Sequence, residues 1–167
     1  MVIAKLTGES LLSIQLTGKP MINGQPTGSI KALEFAYLLS ENGGRIEKTD
    51  IYTRLYNGYC SRNALWYPVE TCKRYGLNIH YSSEELIYTS NNEIVSDLGL
   101  IFSKLKEDDI LSALFYLRGP ILPGTSDWFS ENIRDLFNST ILKVLSSVKD
   151  SERMKIEHNL KLRGISL

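Results

Sequence analysis

Apolar and polar positions fall into three successive regimes along the 167 residues. From Ile3 to Ile22 the runs are short and β-prone: Ile3 to Thr7, then Leu11 to Leu16, in which Leu12, Ile14 and Leu16 alternate with Ser13 and Gln15. Period-two alternation marks a half-buried strand, so a small antiparallel sheet is expected to open the chain. Asn23 to Gly28 is rich in turn formers and leads to Ser29, a good N-cap.

The second regime is helical. Leu33, Phe35, Ala36, Tyr37, Leu38 and Leu39 predict a helix from Ile30 that ends at Asn42-Gly43-Gly44. Lys48 to Tyr56 predicts a shorter one stopped by Asn57-Gly58, with Ile51, Tyr52 and Leu55 on its inner side. A third is expected from a Ser61 cap to Gly76, with Leu65, Val69 and Cys72 recurring at i, i+4 and i+7. Pro68 falls inside that span, so this helix either kinks or starts near Tyr67 with the proline in its first turn. Leu77 to Tyr81 and Leu86 to Thr89, joined by Ser82-Ser83-Glu84-Glu85, read as a hairpin directly after it.

The third regime begins beyond Asn91-Asn92. Val95, Leu98, Ile101, Phe102 and Leu105 predict one helix; Ile110, Leu111, Leu114 and Phe115 predict the next, with Asp108 and Asp109 at its positive end. Arg118 to Gly124 breaks the pattern before a long helix from Trp128 to Val148 and a last one from Ser151 to Leu162. The stripe Trp128, Phe129, Ile133, Leu136 and Phe137 serves mostly as core, and it is wide enough to leave apolar surface for dimerisation or for another protein.

Strands, three helices and a hairpin, in that order, are the plan of a winged helix-turn-helix. The expected fold is therefore α+β: a winged helix-turn-helix domain with an N-terminal antiparallel sheet over residues 1–92, then a small all-helical segment over 93–167.

Composition narrows the function. Nineteen basic residues balance nineteen acidic ones, so no strong overall field pulls the chain to nucleic acid. Between Gly43 and Gly76, however, Arg45, Lys48, Arg54, Arg62, Lys73 and Arg74 outnumber Glu47, Asp50 and Glu70, and any basic face lies there. Cys60 and Cys72 fit neither a zinc site nor a disulfide framework and read as reduced thiols. His80 and His158 have no nucleophile or carboxylate at motif spacing, and no phosphate loop, nucleophile elbow or metal motif occurs, so an enzyme is not expected and no cofactor is implied. With no signal-like start and no long apolar run, the expectation is cytoplasmic localisation without a membrane partner.

Two passages resemble bacterial activators of the antibiotic-regulatory-protein type, which join a response-regulator-like winged helix to a helical bacterial transcriptional activator domain. The first comprises Gly18-Lys19-Pro20, Lys31 to Leu39, Gly43-Gly44-Arg45-Ile46, Asp50-Ile51, Leu55-Tyr56 and Arg62 to Leu65. The second, more specific one is Ala113 to Gly124 followed by Trp128, with its Arg118-Gly119-Pro120-Ile121-Leu122-Pro123-Gly124 bend. The family's helical domain is normally longer, so here it looks shortened. The resemblance implies transcription regulation, with the third helix in the major groove of double-stranded DNA and the helical segment engaging a second copy or another regulatory protein.

For that role the DNA-contacting candidates are Lys48, Thr49, Arg62, Asn63, Trp66, Tyr67, Thr71, Lys73 and Arg74. Asn63 suits bidentate reading of adenine, Lys73 and Arg74 suit phosphate, and Lys48 with Thr49 sits at a helix N-terminus that adds backbone donors. Three features depart from the family pattern: aromatic Trp66 and Tyr67 where polar readers are usual, Pro68 beside them, and Glu84 with Glu85 at the hairpin tip. They define the alternative, a winged helix that serves as a protein-interaction module without DNA binding.

Overall fold

The computed structural model describes residues 11–167; the strand expected over Ile3 to Thr7 lies outside them. The molecule is mixed α+β. The elements run β1 (Leu11–Gln15), β2 (Met21–Ile22), β3 (Gln25–Pro26), α1 (Ile30–Glu41), β4 (Arg45–Glu47), α2 (Lys48–Tyr56), α3 (Trp66–Arg74), β5 (Ile79–Ser82), β6 (Ile87–Ser90), β7 (Glu93–Ser96), α4 (Asp97–Lys106), α5 (Ile110–Tyr116), α6 (Trp128–Leu145) and α7 (Asp150–Leu162).

Two small sheets flank α1. One has the order β3-β2-β1-β7 and the other β4-β6-β5. β1 and β2 pair antiparallel, as the alternation predicts, but β1 also pairs in parallel with β7, Leu12 facing Ile94 and Ser13 facing Val95. Val95, expected on a helix, is thus on a strand. Helical spacing misled here because a four-residue strand runs straight into α4, whose N-cap Ser96 accepts from the Gly99 N–H.

α1 is the central element. Eight consecutive residues, Ala32 to Leu39, are buried, so every face of the helix is covered; a helix apolar nearly all round belongs inside a protein. Ser29 caps its start on the Ala32 N–H, and Gly43 and Gly44 end it with positive φ. At Gly44 a Cβ would lie 2.9 Å from the Ser90 carbonyl oxygen, so only glycine lets β6 approach.

Asp97, the first residue of α4, fastens the helical part to the sheet. Its carboxylate accepts from the Leu16 N–H (2.8 Å), the Thr17 N–H (2.9 Å), the Thr17 hydroxyl (2.6 Å) and the Leu98 N–H (2.8 Å). Thr17 Oγ1 in turn accepts from the Arg118 N–H at 3.0 Å. The Arg118–Gly124 bend therefore docks on the end of β1. Gly18 donates to the Pro120 carbonyl and Leu122 to the Leu16 carbonyl, and a Cβ on Gly119 would come within 2.9 Å of Gly18 Cα. The Arg134 side chain of α6 holds the far side of the bend through the Ile121, Leu122 and Thr125 carbonyls.

Of the long-helix stripe, Phe129, Ile133 and Phe137 are buried, while Trp128 and Leu136 are exposed. Asp109 caps α5 on the Ser112 N–H, and the Ser112 hydroxyl together with that N–H holds its carboxyl below the ordinary range. The Asp108-Asp109 pair thus serves a helix start.

A buried ionic cluster joins α1, α2 and the cap of α6. Glu34 is fully buried, with Lys31 Nζ at 2.7 Å. That ammonium also lies 3.2 Å from Asp127, donates to the Leu55 carbonyl and sits over the Tyr56 ring. Burial pushes the Glu34 carboxyl up to about 8 despite the lysine, with the Asp127 carboxylate adding to the rise. Glu34 Oε1 is buried without a hydrogen-bond partner among the described residues, which disfavours a charge on that carboxyl. Burial tends to raise Asp127 too, but the Ser130 N–H and the Lys31 ammonium together hold it below the usual carboxylate range.

Two outcomes follow for stability. Asp97→Ala leaves the shielded Leu16 and Thr17 N–H groups without an acceptor and is expected to cost about 3 kcal/mol in denaturant unfolding. Asp97→Asn, which keeps one acceptor oxygen, costs less; equal stability of all three proteins refutes the clamp. For Glu34, the folded state binds a proton that the unfolded chain releases at its ordinary value of 4.5, so this contribution is full below that pH and is lost progressively up to about 8. Glu34→Gln mimics the protonated carboxyl and should lack that decline in urea titrations across the window. Parallel pH profiles for the two proteins would show that Glu34 is ionised in the fold.

Candidate nucleic-acid interface

The residues singled out from the sequence gather on the surface formed by α2, α3, the 57–65 connection and the β5–β6 hairpin. α2 starts at Lys48, whose N–H donates to the Leu86 carbonyl at the hairpin end at 2.8 Å, and stops at Asn57, which takes φ of 52° as a left-handed cap. Lys48 Nζ lies 5.5 Å from the ring centroids of both Tyr52 and Tyr81, so one ammonium links α2 to β5. Tyr81 packs on Tyr88 at 4.6 Å, and Tyr88 meets Phe35 of α1 edge-on at 5.5 Å. The hairpin is therefore anchored by an aromatic chain that reaches the core.

The start of α3 differs from the Ser61 cap expected for it. Residues 61–65 form turns, the Ala64 N–H donating to the Ser61 carbonyl and the Trp66 N–H to the Asn63 carbonyl, and the helix begins at Trp66. Pro68 decides this. It has no N–H to give and fits only the first turn, where none is required. Two α2 tyrosines strap the preceding connection: Tyr52 donates to the Arg62 carbonyl (3.1 Å) and Tyr56 to the Ala64 carbonyl (3.2 Å). Arg62 and Asn63 are exposed on that connection, ahead of the helix rather than on it.

Leu65, just ahead of α3, and Val69 and Cys72 on it face inward as their spacing predicts. The Cys72 thiol donates to the Ala32 carbonyl at 3.1 Å, and burial pushes its pKa up to about 12, so it stays protonated and chemically quiet. Cys60 is half-buried and also free. Trp66 and Tyr67 are exposed, at 66% and 54%.

Thr71 corrects one expectation. Placed among the outward residues by its spacing, it is only 6% exposed, because the β3–α1 connection covers that flank of α3. Its hydroxyl oxygen is shielded and has no partner.

Charge on the face is uneven. Lys73 pairs with Glu70 at 2.8 Å and is largely spent locally. Arg62 and Arg74 are exposed and form no ion pair among the described residues, and Thr49 stands exposed beside Lys48. At the hairpin tip Glu85 lies 3.4 Å from Arg45, which offsets one of the two carboxylates there.

Sequence reasoning missed the flank opposite the hairpin. Gln25, Thr27, Gly28, Ser29, Tyr67, Thr71, Arg74 and Tyr75 line a crevice of about 350 Å³ between the start of α1 and α3. Tyr75 closes its wall by donating to the Pro26 carbonyl at 3.0 Å. Gly28-Ser29 reads in the sequence as turn and cap, and nothing local reveals that α3 lies across it. Among the described residues no His, Cys, Asp or Glu cluster could hold a metal ion, and no helix is long and apolar enough to cross a membrane. Compared with protein-family models, curated proteins and solved structures, the chain matches none of them, so this face is read from its own geometry.

Proposed function

We infer that the chain is a DNA-binding transcriptional regulator of the winged-helix, antibiotic-regulatory type, with α3 as recognition helix, β5–β6 as wing and the helical segment as its surface for a second copy or another regulatory protein. The observation that carries this reading is the outward flank of α3 beside Arg62 and Arg74, which form no ion pair among the described residues, with α2, its Lys48 and a hairpin on the side where phosphates run past a groove-bound helix. Because the first turn of α3 carries aromatic rings, base-edge reading falls to Asn63 and specificity is expected to be modest. Arg118 to Gly124 serves as a spacer that fixes the helical segment against the sheet rather than as a contact.

A second reading has its own support. Trp66 and Tyr67 are the kind of exposed aromatic pair that anchors protein interfaces, and Glu70 cancels Lys73 beside them. On that reading the same face binds protein and has no affinity for polyanions.

A salt series with random duplex DNA separates the two. For the regulator, log affinity falls linearly with log salt, and Lys48→Ala combined with Arg62→Ala weakens binding to all duplexes alike while reducing the slope by about 2. Trp66→Ala with Tyr67→Ala should weaken it less. Absent or salt-independent binding overturns DNA recognition and leaves the protein-interaction reading.

A further inference from the structure

We propose that the outer face of α5 and α7 is a docking surface for a second copy of this chain, the two copies meeting about a two-fold axis with their α7 helices antiparallel. The proposal rests on the reading of the helical segment as a partner surface and names its occupant; it requires neither α3 nor DNA.

The face is built around a groove. Leu111 and Leu114 of α5 and Ile156 of α7 line a space of about 360 Å³ between the two helices, with Ser151, Glu152, Lys155 and Asn159 along its α7 side. Leu114 and Ile156 are buried, but Leu111 is exposed, and Phe115 stands one turn further along the same outward side of α5. On α7, Met154 and Leu162 are exposed two turns apart on one stripe. Leu111, Phe115, Met154 and Leu162 are between 67% and 80% exposed, and of the large apolar side chains among the described residues only Tyr59 exceeds them. One such side chain in water is ordinary. Four on two helices that share a groove with a polar rim have the make-up of an interface core without its partner.

Charge identifies the occupant. Glu152 and Lys155 lie one turn apart on the groove rim, yet neither forms an ion pair among the described residues, whereas Arg153 and Glu157 on the same helix pair with each other at 2.8 Å. The signs are also segregated: Asp150 and Glu152 open α7, and Lys155 and Lys161 follow. A partner of one sign would leave half of these groups facing like charge. The same face turned through 180° presents the lysines of each copy to the carboxylates of the other, so the contact of Glu152 with Lys155 of the second copy is made twice. Under that rotation Phe115 of each copy meets the groove of the other, an anchor and a pocket on one self-complementary patch.

The two helices are short, so the dimer is expected to be weaker than one with a standard interface and to form at micromolar concentration. The test is sedimentation velocity on the full chain without nucleic acid, from the micromolar range to about 1 mM. A monomer–dimer equilibrium is expected, weakened about tenfold in Phe115→Glu, in Glu152→Lys and in Lys155→Glu. Glu152 and Lys155 are exposed and unpaired, so their variants should keep the native circular dichroism and thermal midpoint. An equimolar mixture of Glu152→Lys and Lys155→Glu chains recovers the native association, as does the chain that carries both substitutions, because opposite charges again face each other across the axis.

A native chain that stays monomeric throughout overturns the proposal and leaves the face to a different protein. A dimer indifferent to these substitutions, or single variants whose mixture fails to recover association, overturns it by placing the interface elsewhere. Since the readout contains no nucleic acid, loss of the dimer leaves the duplex salt series to decide DNA recognition, and a chain that binds no duplex still reports on the dimer.

Discussion

One carboxylate holds the two halves of the molecule in register. Asp97 sits where β7 passes into α4 and gathers donors from Leu16, Thr17 and Leu98. Burial works against its ionised form and raises its pKa, while those donors pull the other way. A half-buried charge so placed is favourable while its donors stay in position, so it ties the end of β1 to the start of α4 and, through Thr17, to the Arg118–Gly124 bend. This local polar knot, rather than a broad apolar interface alone, sets how the helical segment lies against the sheet.

α1 then carries that arrangement to the proposed binding face. Its Ala32 carbonyl receives the Cys72 thiol of α3, its Phe35 ring meets Tyr88 of the hairpin, and its Lys31 reaches both the Leu55 carbonyl of α2 and the Asp127 cap of α6. A helix buried on all sides has little freedom to slide. The three elements of the face are thus positioned from behind by a single rigid rod, which leaves Trp66, Tyr67, Arg62 and Arg74 free of structural duty.

Much of this was legible in the chain. The alternation of Leu12, Ile14 and Leu16 located β1; Ser29 and Gly43-Gly44 bracketed α1; Leu65, Val69 and Cys72 fixed the inner side of α3. What escaped shares a physical cause. β7 was hidden because its four residues owe their strand state to pairing with β1, more than eighty positions earlier, and not to a local period. The burial of Thr71 was hidden because helical spacing reports which side faces the main core and is silent about a loop folding over the opposite flank. The start of α3 at Trp66 was written in Pro68, but only as one of two solutions to the same steric rule.

α3 carries an exposed aromatic pair and a shielded threonine hydroxyl without a partner among the described residues. Exposure by itself assigns Trp66 no role, because Tyr59, Leu111, Phe115, Met154 and Leu162 are more exposed still. Trp66 offers a flat apolar surface next to Tyr67 in the first turn of α3, whereas the Thr71 hydroxyl is shielded from solvent. The proposed polyanion reading therefore rests on the exposed Arg62 and Arg74 and not on Thr71, in a chain whose charges sum to zero.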